Sequence, residues 1–470
     1  MSIRDLVVAV TVLGSLPFCL ARPWIGLLVL SWLGYMNPHR LTWGFAYNQP
    51  WAMMVAVAML TGILFAGKAR RPLPRTAEVY ILLILWVVFL LSTFQAFEPY
   101  DAWDQFNKVS KILLVTFVTL ILFRDAEKLR YLLYVIALSI GFFGLKGGIW
   151  ALSTGGANHV LGPPETFISG NTEIGLALVM VIPLLVLLAR SEPRRWMRLI
   201  LRATFCFSIV AVLFTYSRGA VLGLGVVLPL IFLKSRWKLM VLPLAIVAVF
   251  FGQEIAHAIF PENWINRMSS VQTYEEDRSA NMRLNSWIVA YRLALDRPFL
   301  GAGFRPFSPA VYLAYSPDEK WNTVQDAHSI YFQVMAEHGF VGFGLYVLLV
   351  IVTLGHLRWI MRRARRDPTL KFHRDTAQML EVSLVGFLIV GAFLSMSYFD
   401  LFFHLVAITA LLKVMVADHL AQAVPAPVPA SGRPRVTVRV PARGPASVPA
   451  PASAPGRPLG LPPWHPAKRS

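Results

Sequence analysis

The 470-residue chain is 56% hydrophobic and only 15% charged, with a mean hydropathy of +0.57. A soluble domain is about 25% charged, so these figures exclude a soluble globular protein and predict an all-α polytopic membrane protein. The 44 basic and 25 acidic residues give a formal charge of +19, but many of the basic ones fall in short loops between apolar runs, where they set orientation and imply no nucleic acid.

Residues 5–20 and 23–36 are apolar runs split by Arg22-Pro23. Each is shorter than the ~20 residues of a crossing helix, which predicts a tilted or re-entrant segment. The first lacks a small-residue cleavage site and reads as an uncleaved membrane segment. Further spans are predicted at 50–67, 77–96, 109–124, 128–151, 172–190, 199–216, 218–234, 238–252, 340–357, 376–396 and 400–417, about twelve or thirteen crossings with the two opening runs. Cys19 and Cys206 are the only cysteines and both lie inside apolar runs, which argues against a disulfide framework or a cysteine-built metal site. Basic loops at Lys68–Arg75, Arg124–Arg130, Arg194–Arg198, Lys234–Lys238 and Arg358–Arg366 fall on one face if the spans alternate. The positive-inside bias makes that face cytoplasmic.

The opposite face then owns one large loop, 253–339, and loops of such length usually carry function. Within it Ser279 to Arg297 reads as an amphipathic helix along the outer membrane surface, with Leu284, Ile288, Tyr291 and Leu295 on one side. Pro298 ends that helix, and Gly301-Ala302-Gly303 supplies a turn. From about residue 421 the chain is Pro, Ala, Ser and Arg, too polar to bury a core, so a disordered tail is expected after a membrane domain of 1–420.

His328 sits where the polar loop meets the apolar run Leu345 to Leu354. That boundary suits a proton-trading group beside a lipid-borne substrate, and equally a helix-start histidine. Arg218, in Ser217-Arg218-Gly219, occupies the outer turn of a two-span hairpin; it either meets an anion there or snorkels. Arg283 lies one turn before Trp287, a spacing that aims the guanidinium into the loop while the indole anchors at the bilayer. Arg278 and Arg267 stand nearby as further anion-binding candidates or as plain surface charges. Lys146, between Gly144 and Gly147-Gly148, is a candidate of the same two-sided kind. Together the cations and the imidazole fit a lipid pyrophosphate and a proton acceptor. Neither a phosphate-binding Gly-rich loop nor His-Glu-x-x-His occurs, and Glu275-Glu276-Asp277 reads as a solvated turn, so no cofactor or metal is expected.

These residues resemble the O-antigen ligase and polymerase superfamily. Its signature, His, then Asn/Ser/Gln, nine residues, then Gly-x-x-Gly, is matched by His328, Ser329, Gly339 and Gly342. Its Ser-Arg-Gly turn is matched by Ser217-Arg218-Gly219, its loop arginine and aromatic by Arg283 and Trp287, and its Pro-x-x-Gly-x-Gly by Pro298, Gly301 and Gly303. Met36 to Tyr47 is similar to a subgroup of exosortase-associated O-glycosylation ligases. His338 falls at a variable position of the signature and receives no role.

The resemblance implies an inverting, metal-independent glycosyltransferase in the bacterial inner membrane, with its site towards the periplasm. His328 would be the general base, while Arg218 and Arg283, with Lys146, would hold the pyrophosphate. The implied partners are an undecaprenyl-pyrophosphate-linked glycan donor, a lipid A–core acceptor and the membrane lipids. A protein acceptor, a growing O-antigen polymer, or simple transport of the lipid-linked glycan are the competing readings.

Overall fold

A computed structural model describes residues 2–65, 72–235, 238–240, 243, 254, 257–258, 260–269, 278–317 and 323–423. Among these every regular element is a helix, as the composition predicts. Eight are long and apolar enough to cross a membrane: α1 (Ile3–Ala21), α4 (Ala77–Phe94), α5 (Pro99–Leu122), α6 (Ala126–Ser153), α7 (Asn171–Ser191), α8 (Arg195–Leu213), α13 (Ile330–Arg363) and α15 (Asp400–Ala423). Three shorter apolar helices accompany them, α2 (Pro23–Met36), α3 (Trp51–Phe65) and α9 (Arg218–Leu233). The protein is a multi-pass membrane protein. Most of the predicted span at 238–252, the Glu275-Glu276-Asp277 turn and the tail beyond 423 lie outside the described residues.

Helix α7 is the hub. Every residue from Ile174 to Leu185 is buried, the state expected of a helix that is hydrophobic all round. It packs against α6, α8, α9 and α14 (Lys371–Gly391). Helices α1, α2 and α3 form a satellite around Val12, Leu33, Trp51 and Val55.

Several helices run past the predicted ends, and α5 and α13 start furthest ahead of them, in each case through polar residues that hydropathy alone discards. Helix α5 begins at Pro99 instead of 109. Proline at the first helical position forfeits only a donor that has no helical partner anyway, and Lys108 pairs with Asp104 at 2.6 Å one turn away.

Helix α13 begins at Ile330 instead of 340, and it breaks at Gly339 (φ 64°, ψ −168°). The turn after Pro298 occupies the break. Phe340 N–H donates to the Pro298 carbonyl (2.7 Å), Ala302 N–H to Ala336 (3.0 Å) and Gly303 N–H to Glu337 (2.9 Å). Backbone groups released by the kink are thereby paired. A Cβ at Gly339 would lie 2.6 Å from the Pro298 oxygen, and one at Gly301 would lie 2.5 Å from the His338 nitrogen. Backbone meets backbone here, so both glycines are required by space as well as by their positive φ.

Helix α11 (Arg278–Asp296) is apolar on two sides. Val289, Ala290 and Leu293 are buried against α12 (Pro309–Tyr315) and the first turns of α13. The predicted stripe faces out, with Ile288, Tyr291 and Leu295 exposed, the arrangement a surface-lying membrane helix needs. Trp287 departs from expectation. Its half-buried indole stacks on Phe332 (5.2 Å, 10° between planes) and donates to the Ala327 carbonyl, so its polar end is turned to the protein.

Candidate active site

His328 stands in the left-handed region at φ 46°, which costs a non-glycine residue about 1–3 kcal/mol and persists only where the surroundings enforce it. Three contacts do so. The Trp287 indole N–H donates to the Ala327 carbonyl at 2.9 Å. His328's own N–H donates to Ser395 Oγ at 2.8 Å. Ser397 Oγ donates to the Ile330 carbonyl at 3.0 Å. The backbone is fixed from both sides while the imidazole stays half-buried.

Arg283 projects from α11 one turn before Trp287, on the same face. Burial first, and the Arg283 charge second, hold the His328 imidazole below the ordinary histidine value, against an opposing pull from Asp326. At neutral pH the ring is therefore neutral, with a free lone pair for a proton.

Arg218 is the first residue of α9. Ser217 caps that helix, its hydroxyl accepting from the Ala220 N–H at 3.3 Å. Tyr216 ahead of it is also left-handed (φ 58°). Its hydroxyl donates to the Gly156 carbonyl (2.7 Å), and its ring stacks on His159 (4.6 Å). Gly219 faces Phe393, whose Cβ would be 3.5 Å from a side chain there. Phe393 and Ser395 belong to one short connection between α14 and α15. That connection meets the Arg218 turn at Phe393 and the His328 segment at Ser395, bringing the two together at one end of the bundle.

The weaker candidates scatter. Arg267 is exposed on α10 (Glu262–Ser269), which is tied to the end of α8 by the Trp264 indole donating to the Leu213 carbonyl (2.8 Å). Arg278 opens α11, and its side chain lies outside the described residues. Lys146 is exposed. Gly144 and Gly148 press on α8, where a Cβ would come within 2.1 Å of Ser208 Oγ and 2.3 Å of the Phe207 oxygen respectively. At about 100° per residue, Lys146 then points to the far side of α6 from α8.

His338 is fully buried with both ring nitrogens engaged, Nδ1 with Ser92 Oγ (2.7 Å) and Nε2 with the Tyr398 hydroxyl (2.8 Å). It is a packing residue, and a Cβ at Gly342 would lie 2.3 Å from its own Cβ. Two residues that the sequence reading passed over do reach the site. Arg305 and Glu337 line a cavity beside Asp326 and Ser395, and the Arg305 N–H donates to Glu337 Oε1 at 3.2 Å. The signals were Arg305's place two residues past Gly303 and Glu337 as the one acid in the opening turns of α13. Among the described residues no group of three or more His, Cys, Asp or Glu is placed to hold a metal ion.

Residues 203–347 match a family model described as O-antigen ligase. Residues 3–192 match a family of unknown function. No curated protein matches the chain.

Proposed function

We propose, for a chain that belongs to the O-antigen ligase superfamily, that it transfers a glycan from undecaprenyl pyrophosphate to lipid A–core oligosaccharide at the periplasmic face of the inner membrane. The family carries ligase- or polymerase-type activity on lipid-linked glycans; the donor, acceptor and residue roles are our reading. The observation that supports it most is the strained, half-buried His328 under the charge of Arg283.

In this reading the neutral imidazole takes the proton from an acceptor hydroxyl. That oxygen bonds to the anomeric carbon from the face opposite the departing group, inverting it. The bond from anomeric carbon to phosphate oxygen breaks, and the electron pair leaves with the pyrophosphate. Arg218 and Arg283 offset the charge that grows there, their planar forks suiting phosphate oxygens. No step calls for a nucleotide or a metal.

The test is transfer by purified protein from an undecaprenyl-pyrophosphate glycan, with lipid A–core, a protein acceptor and a second donor molecule offered together. Glycan joined to lipid A–core is the expected product. Glycan on the protein, or a lengthened lipid-linked polymer, would replace the ligase reading; movement of intact donor across a vesicle membrane without transfer would replace the enzymatic one.

The pH profile gives an independent check. His328 is active when neutral, and its pKa is lowered, so kcat/KM should fall only at acid pH, below the ordinary histidine range. Arg283→Gln removes one of the lowering influences. The acid limb should therefore move to higher pH in that variant, and an unmoved limb would separate Arg283 from His328.

A further inference from the structure

Two cavities adjoin at the His328 end of the bundle. The smaller, about 170 Å³, is bounded by Asp326 and Ser395, the residue two before His328 and the one that accepts its N–H. The larger, about 360 Å³, reaches Asn37, Lys108 and Glu165. Gln105, Phe167, Arg305 and Phe399 line both, so the two are lobes of one chamber. A volume in this range accommodates a small ligand such as one or two sugar rings.

The wall chemistry selects among possible occupants. Acids (Asp326, Glu165) and bases (Arg305, Lys108) share the walls, so the lining as a whole matches neither a diphosphate nor a hydrocarbon tail. Donors and acceptors mixed around the Phe167 and Phe399 rings suit a hydroxyl-rich ring, which offers both kinds of hydrogen bond and an apolar C–H face.

Three further features mark the chamber as built. Gln105 is 6% exposed, and its Oε1 makes no hydrogen bond to any described residue, an omission that destabilises the site unless a donor arrives. Glu337 is held rigid by the Tyr398 hydroxyl, the Arg305 N–H and Gln333. Asn37, Glu165 and Arg305 are three of the five described non-glycine residues with positive φ, and all three line the larger lobe. Strain of this kind collects at binding sites.

The two walls come from different parts of the chain. Asn37, Gln105, Lys108 and Glu165 belong to residues 3–192, the region matched to a family of unknown function. Arg305, Asp326 and Glu337 belong to the region matched to O-antigen ligase. We propose that the chamber seats the saccharide of the acceptor, and that the N-terminal region selects the acceptor by supplying its outer wall. The proposal rests on the transferase reading above and adds to it where the incoming hydroxyl is held.

Steady-state transfer by the full chain tests it, using undecaprenyl-pyrophosphate glycan as donor and lipid A–core as acceptor, each varied in turn. Gln105→Leu and Lys108→Ala should each raise KM for the acceptor about tenfold, the worth of one or two hydrogen bonds, and leave KM for the donor within about twofold. The Lys108 side chain is 44% exposed, so its variant guards against a folding defect in the buried Gln105 variant. A raised donor KM with an unchanged acceptor KM would assign the chamber to the donor glycan and overturn the proposal. Both constants unchanged in Lys108→Ala and in a folded Gln105→Leu would overturn it as well. A wild-type protein that transfers nothing sinks the transferase reading itself, a result distinct from either.

Discussion

His328→Ala should lower glycan transfer by about 10²–10⁴-fold, the usual contribution of a positioned general base. The fold should survive, because the contacts that fix this segment are made by the backbone of residues 327–330 and not by the imidazole. Protein amount and thermal stability are therefore the controls, and glycan joined to acceptor is the readout. Near-wild-type transfer would remove the base from the mechanism and leave the strained backbone at position 328 without a purpose. His338→Ala is the contrasting case. That ring is wholly buried between Ser92 and Tyr398, so its loss should appear as instability first.

Arg218→Ala should cost about 10²–10³-fold in kcat, the scale seen when one donor to a developing anion is removed. Arg218→Lys should recover only part of this. The ammonium restores a charge but not the pair of parallel N–H bonds that a guanidinium gives to phosphate. Equal rates for the arginine and lysine forms would reduce Arg218 to a general electrostatic role. An unaffected alanine variant would show that the Ser217-Arg218-Gly219 turn serves packing alone.

The sequence reading located the helices well where long apolar runs announce them, and it failed where polar residues continue a helix. Pro99 to Lys108 and Ile330 to His338 read as loops from hydropathy, which does not register a proline start or an intrahelical ion pair. The signature around His328 could be read as a spacing without its reason. Gly339 is glycine because the Pro298 carbonyl lies against it, a contact between segments some forty residues apart. The spacing of Arg283 and Trp287 gives no sign of Ala327, the carbonyl that the indole braces. The chamber was invisible for a related cause: Gln105, Glu165 and Arg305 meet only after the chain has crossed the bundle several times, and no local periodicity records such a meeting.

The kink at Gly339 divides α13 into two parts with different mechanical duties. The stretch from Ile330 to His338 is fastened to α11, to Ser92 of α4 and to the 298–303 turn, while Phe340 to Arg363 is the membrane-crossing shaft. Helices answer a thicker or thinner bilayer by changing tilt. The shaft is nonetheless tied to the site, Phe340 N–H donating to the Pro298 carbonyl (2.7 Å) and the Tyr346 hydroxyl to the Ser397 carbonyl (3.0 Å), so a change of tilt pulls on the connection that fixes the histidine and turnover should depend on the acyl-chain length of the surrounding lipid.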